Sequence, residues 1–213
     1  MVVDLHRMDP DERGAEIGVG LGLEAGQVAG LSGVPGSGLT RMGLSLLAPH
    51  AMVGPLVYVD VRGWANPIAA WELGIAPDRF VVVRTTDVVT WGRVTATLVT
   101  GVRGVYAEVP HGTREAVLRR LVAKARTHRT PIVLRSLDGS LPAGIAHLRL
   151  EARAVHWEGA GDGHGLLVRR RTVVEASGKA VRGMYRTIEV EDDGTNALRV
   201  VPGMGAAQAR RLA

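Results

Sequence analysis

Residues 33–40 read Gly-Val-Pro-Gly-Ser-Gly-Leu-Thr, and the spacing Gly-x-x-x-x-Gly-x-Thr belongs to phosphate chemistry. In a loop of this kind, set between a strand and a helix, backbone N–H groups and the helix N-terminus all point at an anion. Gly33, Gly36 and Gly38 let the backbone approach a phosphate closely, Ser37 lies between them, and Thr40 offers a hydroxyl suited to Mg²⁺. One part of the chemistry is missing. Leu39 stands where a lysine ordinarily neutralises the β- and γ-phosphates. Arg41 does not replace it, because two residues along a helix turn a side chain about 200° away.

Other chemistries have less support. The chain has no cysteine, which excludes disulfides and thiolate metal sites and fits a reducing cytoplasm. His111 follows a strand end and His128 ends a helix, but no His-x-x-x-His or His/Asp cluster appears, so no metal site is expected. No Gly-x-Ser-x-Gly elbow stands apart from the phosphate loop, and no catalytic residue is predicted.

The loop needs a strand before it and a helix after it. QVAGLS (27–32) supplies a short buried strand and TRMGLSLLA (40–48) a helix. PLVYVDV (55–61), RFVVVRT (79–85), GVYAEV (104–109) and PIVLRS (131–136) are apolar runs of the kind found in strands covered on both faces. Between them, NPIAAWELG (66–74) reads as a helix with Pro near its start and Gly at its end. DVVTWGRVTATLVTG (87–101) reads as a helix opened by Asp87 and closed by Gly101. In residues 113–129, Val117, Leu118, Leu121, Val122 and Ala125 share one helical face, with Arg114, Arg119, Arg120, Arg126 and Arg129 on the solvated remainder. Strand–helix alternation of this kind specifies a mostly parallel sheet flanked by helices on both faces. Beyond residue 140, stretches 146–157, 165–176 and 184–191 are β-rich and separated by Gly/Asp turns, which predicts an antiparallel extension of the same sheet.

Taken in order and spacing, LGLEAGQVAGLSGVPGSGLT, LVYVDVRGWANP, LGIAPDRFVVV and GVYAEV resemble the core of the RecA recombinases over roughly residues 17–190. The short length and the basic, β-rich end are most similar to RecA-related damage-mutagenesis accessory proteins of the ImuA kind. That resemblance implies residue roles. The loop lysine falls on Leu39, and the water-activating glutamate that follows the second strand falls on Arg62, although Asp60 is retained. The magnesium-positioning aspartate becomes Glu108, and the polar switch residue of the fifth strand becomes Ser136. Charge neutraliser, general base and nucleotide sensor are therefore all altered. Gly33, Gly36, Ser37, Gly38, Leu39, Thr40, Asp60, Arg62, Glu108 and Ser136 form a vestigial nucleotide site on this reading, with Arg62 as an alternative phosphate cation.

The formal charge is +5, and every basic residue but Lys124 and Lys179 is arginine, a balance that attracts nucleic acid or acidic partners. Alternation along a strand puts Arg169 and Arg171 on one face, as candidate DNA or partner contacts, and Arg170 on the other. The end, VPGMGAAQARRLA (201–213), resembles half of a helix-hairpin-helix element, in which Gly203 and Gly205 expose N–H groups to a DNA phosphate and Arg210 and Arg211 add charge. Trp64 is read as an exposed interface anchor near the sheet's functional edge, and Trp71 and Trp91 as helix-to-sheet packing.

The expectation is an N-terminal arm (1–15), a RecA-like core (16–192) and a tail or short hairpin-helix element (193–213). Its function is that of a catalytically inactive adaptor in DNA repair or damage-induced (SOS) mutagenesis, cytoplasmic and with no cofactor. The resemblance implies protein partners of a translesion complex and a homo-oligomer as a further assembly. The alternatives are an ATPase that binds ATP and Mg²⁺ weakly through non-standard contacts, and a basic DNA-binding module. No signal peptide or membrane span is expected.

Overall fold

The computed structural model describes residues 22–159, 165–193 and 198–201. Its frame is one nine-stranded sheet: β1 (Val28–Ser32), β2 (Leu56–Asp60), β3 (Phe80–Arg84), β4 (Gly104–Val109), β5 (Ile132–Ser136), β6 (Leu148–Glu158), β7 (Arg169–Gly178), β8 (Arg186–Asp192) and β9 (Arg199–Val201). The strand order is β3-β2-β4-β5-β1-β6-β7-β8-β9. Pairing is parallel from β3 through to β6 and antiparallel from β6 to β9. Helices α1 (Leu39–Ala51), α2 (Ile68–Trp71), α3 (Val88–Gly101) and α4 (Glu115–His128) lie between the first five strands. The expected α/β architecture and its antiparallel extension are both present.

Strands β2, β4 and β5 are buried at every position, which is why their sequences run apolar without alternation. One core lies on the α1 side, joining Leu39, Met42 and Leu47 to Tyr58, Tyr106, Val133, Leu150 and Val174. The other joins Trp91, Val99, Leu118, Leu121 and Val122 of α3 and α4 to Val57, Val105 and Leu134. Gly43 sets the first contact: a Cβ there would lie 2.5 Å from the Tyr106 ring and 2.7 Å from Leu31, so α1 approaches the sheet only without one. Asp87 caps α3 as expected, accepting from Thr90 N at 2.6 Å.

Two helical expectations need correction. The 66–74 helix is a single turn, Ile68–Trp71, because Gly74 turns the chain with φ 78° before it lengthens. Trp71 is consequently 46% exposed, where packing against the sheet was expected, whereas Trp91 is fully buried. Helix α1 also runs past residue 48 through Pro49 to Ala51.

In the antiparallel extension only one face is covered by the described residues. Leu148, Leu150, Val174, Ala176, Ile188 and Val190 join the α1-side core. The opposite face carries ion pairs, Arg153 reaching Glu151 on its own strand and Glu175 across on β7 at 2.6 Å each. Among the described residues no helix is long and apolar enough to cross a membrane, and no group of three or more His, Asp or Glu is placed to hold a metal ion.

Candidate functional site at the carboxyl edge of the sheet

Parallel strands deliver their following loops to one edge, where open α/β sheets bind ligands. Here that edge gathers the 33–38 loop after β1, Asp60 and Arg62 at the end of β2, Glu108 on β4 and Ser136 on β5.

The phosphate-type loop has its bend. Gly33, Gly36 and Gly38 take φ of 140°, 81° and 76°, and Gly38 is the N-cap of α1. Ser37 Oγ donates to Val34 O at 2.6 Å, which tightens the turn. Leu39 points inward: it is 2% exposed, belongs to the α1-side core, and a Cβ on Gly33 would stand 3.2 Å from its Cδ1. Hydrocarbon thus occupies position 39. Arg41 pairs with Glu72 at 2.7 Å and with Asp192 at 3.5 Å.

Three loop carbonyls are held from neighbouring strands. Arg135 of β5 donates to Gly33 O at 2.5 Å, Arg170 of β7 to Gly36 O at 3.2 Å, and Thr172 Oγ1 of β7 to Ser37 O at 3.1 Å. Arg170 lies directly on the loop, since a Cβ on Gly38 would fall 2.5 Å from its Nη2. Its guanidinium also pairs with Asp192 and sits 5.4 Å from the centre of the Trp157 ring. The loop is therefore a joint between α1 and the antiparallel extension. Arg170→Ala should cost about 1–3 kcal/mol through the stranded carbonyl and carboxylate. It should also speed amide exchange across residues 36–40 ahead of the rest of α1, read by urea titration and hydrogen exchange.

The two acids at this edge are equally committed to structure. Glu108, with no exposed surface, accepts from Tyr58 Oη at 3.1 Å, Val61 N at 3.0 Å, Arg62 N at 3.1 Å and Arg62 Nε at 3.0 Å, and pairs with Arg62 Nη2 as well. Asp60, 1% exposed, accepts from Gly63 N at 2.8 Å, Trp64 N at 3.2 Å and Ala65 N at 3.2 Å, with Arg84 Nε 3.4 Å away. Every backbone N–H from Val61 to Ala65 is thus taken by one of two buried carboxylates. Burial alone would raise the Glu108 carboxyl, but the hydrogen bonds and charge of Arg62 outweigh it and hold the group below the usual glutamate range. Burial, reinforced by Tyr106 and Glu108, drives the Tyr58 phenol far above its ordinary value, so it remains a donor. Arg62 then stacks on Trp64, its Cζ 4.5 Å from the ring centre.

On the other side of this cluster, Ser136 is 7% exposed and its Oγ accepts from Asp138 N at 3.3 Å. Arg135, 4% exposed, neighbours Glu108 in the sheet register, and burial lowers its guanidinium from the usual range. Its Nη1 is buried with no hydrogen-bond partner among the described residues. His111 pairs with Asp138, which also accepts from Gly112 N at 2.9 Å and so ties the loops after β4 and β5 together.

The structure brings together the loop residues, Asp60, Arg62, Glu108 and Ser136. It separates Arg169 and Arg171, which pair with Glu158 and Glu191 on the opposite face of the extension. Gly203, Gly205, Arg210 and Arg211 lie outside the described residues. Sequence reasoning missed Arg135 and Arg170. The signal for Arg135 was an arginine within an otherwise apolar strand run; for Arg170 it was the alternation that set it opposite its neighbours.

Residues 19–139 match a family model described as the MT3502 N-terminal domain. No curated protein matches the sequence. Among solved structures, the chain is similar to the crystal structure of the RadB recombinase, at 16% identity over 84% of this chain and 93% of that one, with a TM-score of 0.57. At that identity the likeness establishes a RecA-like fold.

Proposed function

This chain belongs to the family of the MT3502 N-terminal domain, and from that premise we propose that it is a cytoplasmic RecA-like adaptor without ATP turnover, working through protein contacts in DNA repair or damage-induced mutagenesis. The observation that carries the reading is the Glu108–Arg62 pair. Glu108 occupies the magnesium-positioning place implied by the RecA resemblance, yet its oxygens are taken by Tyr58, Val61 and Arg62. Arg62, at the general-base place, is a cation committed to that same carboxylate. Burial of Leu39 adds a third departure from phosphate chemistry. The repair assignment draws on the RecA and ImuA resemblance and on the RadB structure being that of a recombinase.

A second reading, an ATP-binding protein with non-standard phosphate contacts, is favoured by one observation. The loop has its glycine bends, and beside it Arg135 holds a buried Nη1 with no hydrogen-bond partner among the described residues. Calorimetry with ATP and Mg²⁺, run alongside a phosphate-release assay, separates the two. The adaptor reading expects no turnover and no binding tighter than about 1 mM, whereas an affinity of ~10 μM or better with hydrolysis overturns it.

A further inference from the structure

We propose that Asp60 and Glu108 are positioning residues for a preformed docking surface centred on Trp64, whose occupant is an uncharged, apolar segment of a second protein. A turn of five residues normally leaves several N–H groups to water and samples several shapes. Here the N–H groups of residues 61–65 are all accepted by two carboxylates that are themselves buried. Such a turn is fixed before any partner arrives, and fixing it in advance removes an ordering cost from binding.

What the turn presents is apolar. Trp64 is 64% exposed despite its rigid base, and Ile68 and Trp71, three residues apart on α2, are 48% and 46% exposed. Large aromatic side chains on a rigid base are the residue types that dominate binding energy in protein interfaces. Arg62 covers part of the Trp64 ring and holds it in place.

Charge selects the class of partner. The two arginines at the turn, Arg62 and Arg84, are each within ion-pair distance of a buried acid, Glu108 and Asp60. At the turn these charges therefore balance, and the remaining nearby cation, Arg135, is only 4% exposed. A nucleic acid draws its affinity from cations that neutralise phosphates and release counterions, which this cluster does not supply. An apolar segment draws it from buried area, which Trp64, Ile68 and Trp71 do supply.

The inference rests on the adaptor reading but fails separately from it. ATP turnover would overturn that reading and leave the surface standing. The test is selection of displayed peptides on the full-length chain, with counter-selection on Trp64→Ala, followed by fluorescence polarisation of the labelled winners. Winning peptides should carry aliphatic or aromatic residues without an acidic requirement and bind with little salt dependence. They should lose about tenfold or more in affinity on Trp64→Ala, while Trp64→Phe keeps most of it and both variants melt like the wild type. Asp60→Asn, which loosens the turn but keeps Trp64, should weaken the same peptides. Three outcomes overturn the proposal: no Trp64-dependent peptide emerges, a thymidine oligonucleotide binds through Trp64 with a steep salt slope, or Trp64→Ala abolishes self-association of the chain.

Discussion

Glu108→Ala should destabilise the fold by about 3–5 kcal/mol, the range for stranding one half of a buried ion pair. The carboxylate has no exposed surface, and its loss leaves Tyr58 Oη, two backbone N–H groups and the Arg62 guanidinium without their acceptor. The Arg62 side chain is 22% exposed, so water recovers only part of what it loses. Replacing both partners by apolar residues of similar size should cost less than the single change, because no charge is then left buried alone, although Tyr58 Oη and the N–H groups of residues 61 and 62 still lose their acceptor. Urea titration of the two single variants and the double variant measures that coupling. The pH dependence has a definite sign. The folded-state value of Glu108 lies below its unfolded value, so the carboxylate's contribution is complete above about pH 4.3, the ordinary glutamate value. It is lost as pH falls through the depressed folded value. The stability gap between wild type and Glu108→Ala should therefore narrow steadily on acidification below that point. An acid kept for magnesium would behave differently, losing activity on replacement with little loss of stability.

Much of this was legible in the sequence, for identifiable reasons. Strands β2, β4 and β5 announce themselves because burial on both faces requires unbroken apolar runs, and Asp87 announces α3 because a helix N-terminus needs an acceptor. The leucine at position 39 is visible wherever the loop spacing is recognised. The mutual engagement of Arg62 and Glu108 is not, because they are 46 residues apart and meet only where β2 and β4 pair. Alternation correctly divided Arg169 and Arg171 from Arg170. It did not say which face meets the loop, since that depends on β6 lying parallel beside β1 and carrying β7 behind it. The pair read as outward contacts finds Glu158 and Glu191, and the arginine between them reaches the glycines. Trp71 was misread because one turn of helix has too little length to bury a chosen face.

Leu39→Lys tests whether the loop is shaped to hold a phosphate. Leu39 is 2% exposed within the α1-side core. A lysine there must either bury its ammonium in hydrocarbon or swing into the loop, where Arg135 already bonds Gly33 O at 2.5 Å. The first course carries the cost of an unpaired buried charge, and the second sets two cations side by side. Either way the variant should lose about 2–4 kcal/mol, comparable to the large-to-small penalty expected of Leu39→Ala. Leu39→Met, which conserves volume, should stay within about 1.5 kcal/mol of wild type. Nor should the lysine create affinity for ATP and Mg²⁺, because Glu108 remains bound to Arg62 and offers the metal no free oxygen. Urea midpoints and calorimetry on the same preparations measure both effects. A Leu39→Lys protein as stable as wild type that binds ATP and Mg²⁺ would show that the loop was still shaped around a phosphate. The expected result, lost stability with no gain in binding, makes Leu39 a core residue first: the glycines then serve to bring α1, β5 and β7 together, and the bend persists because the packing requires it.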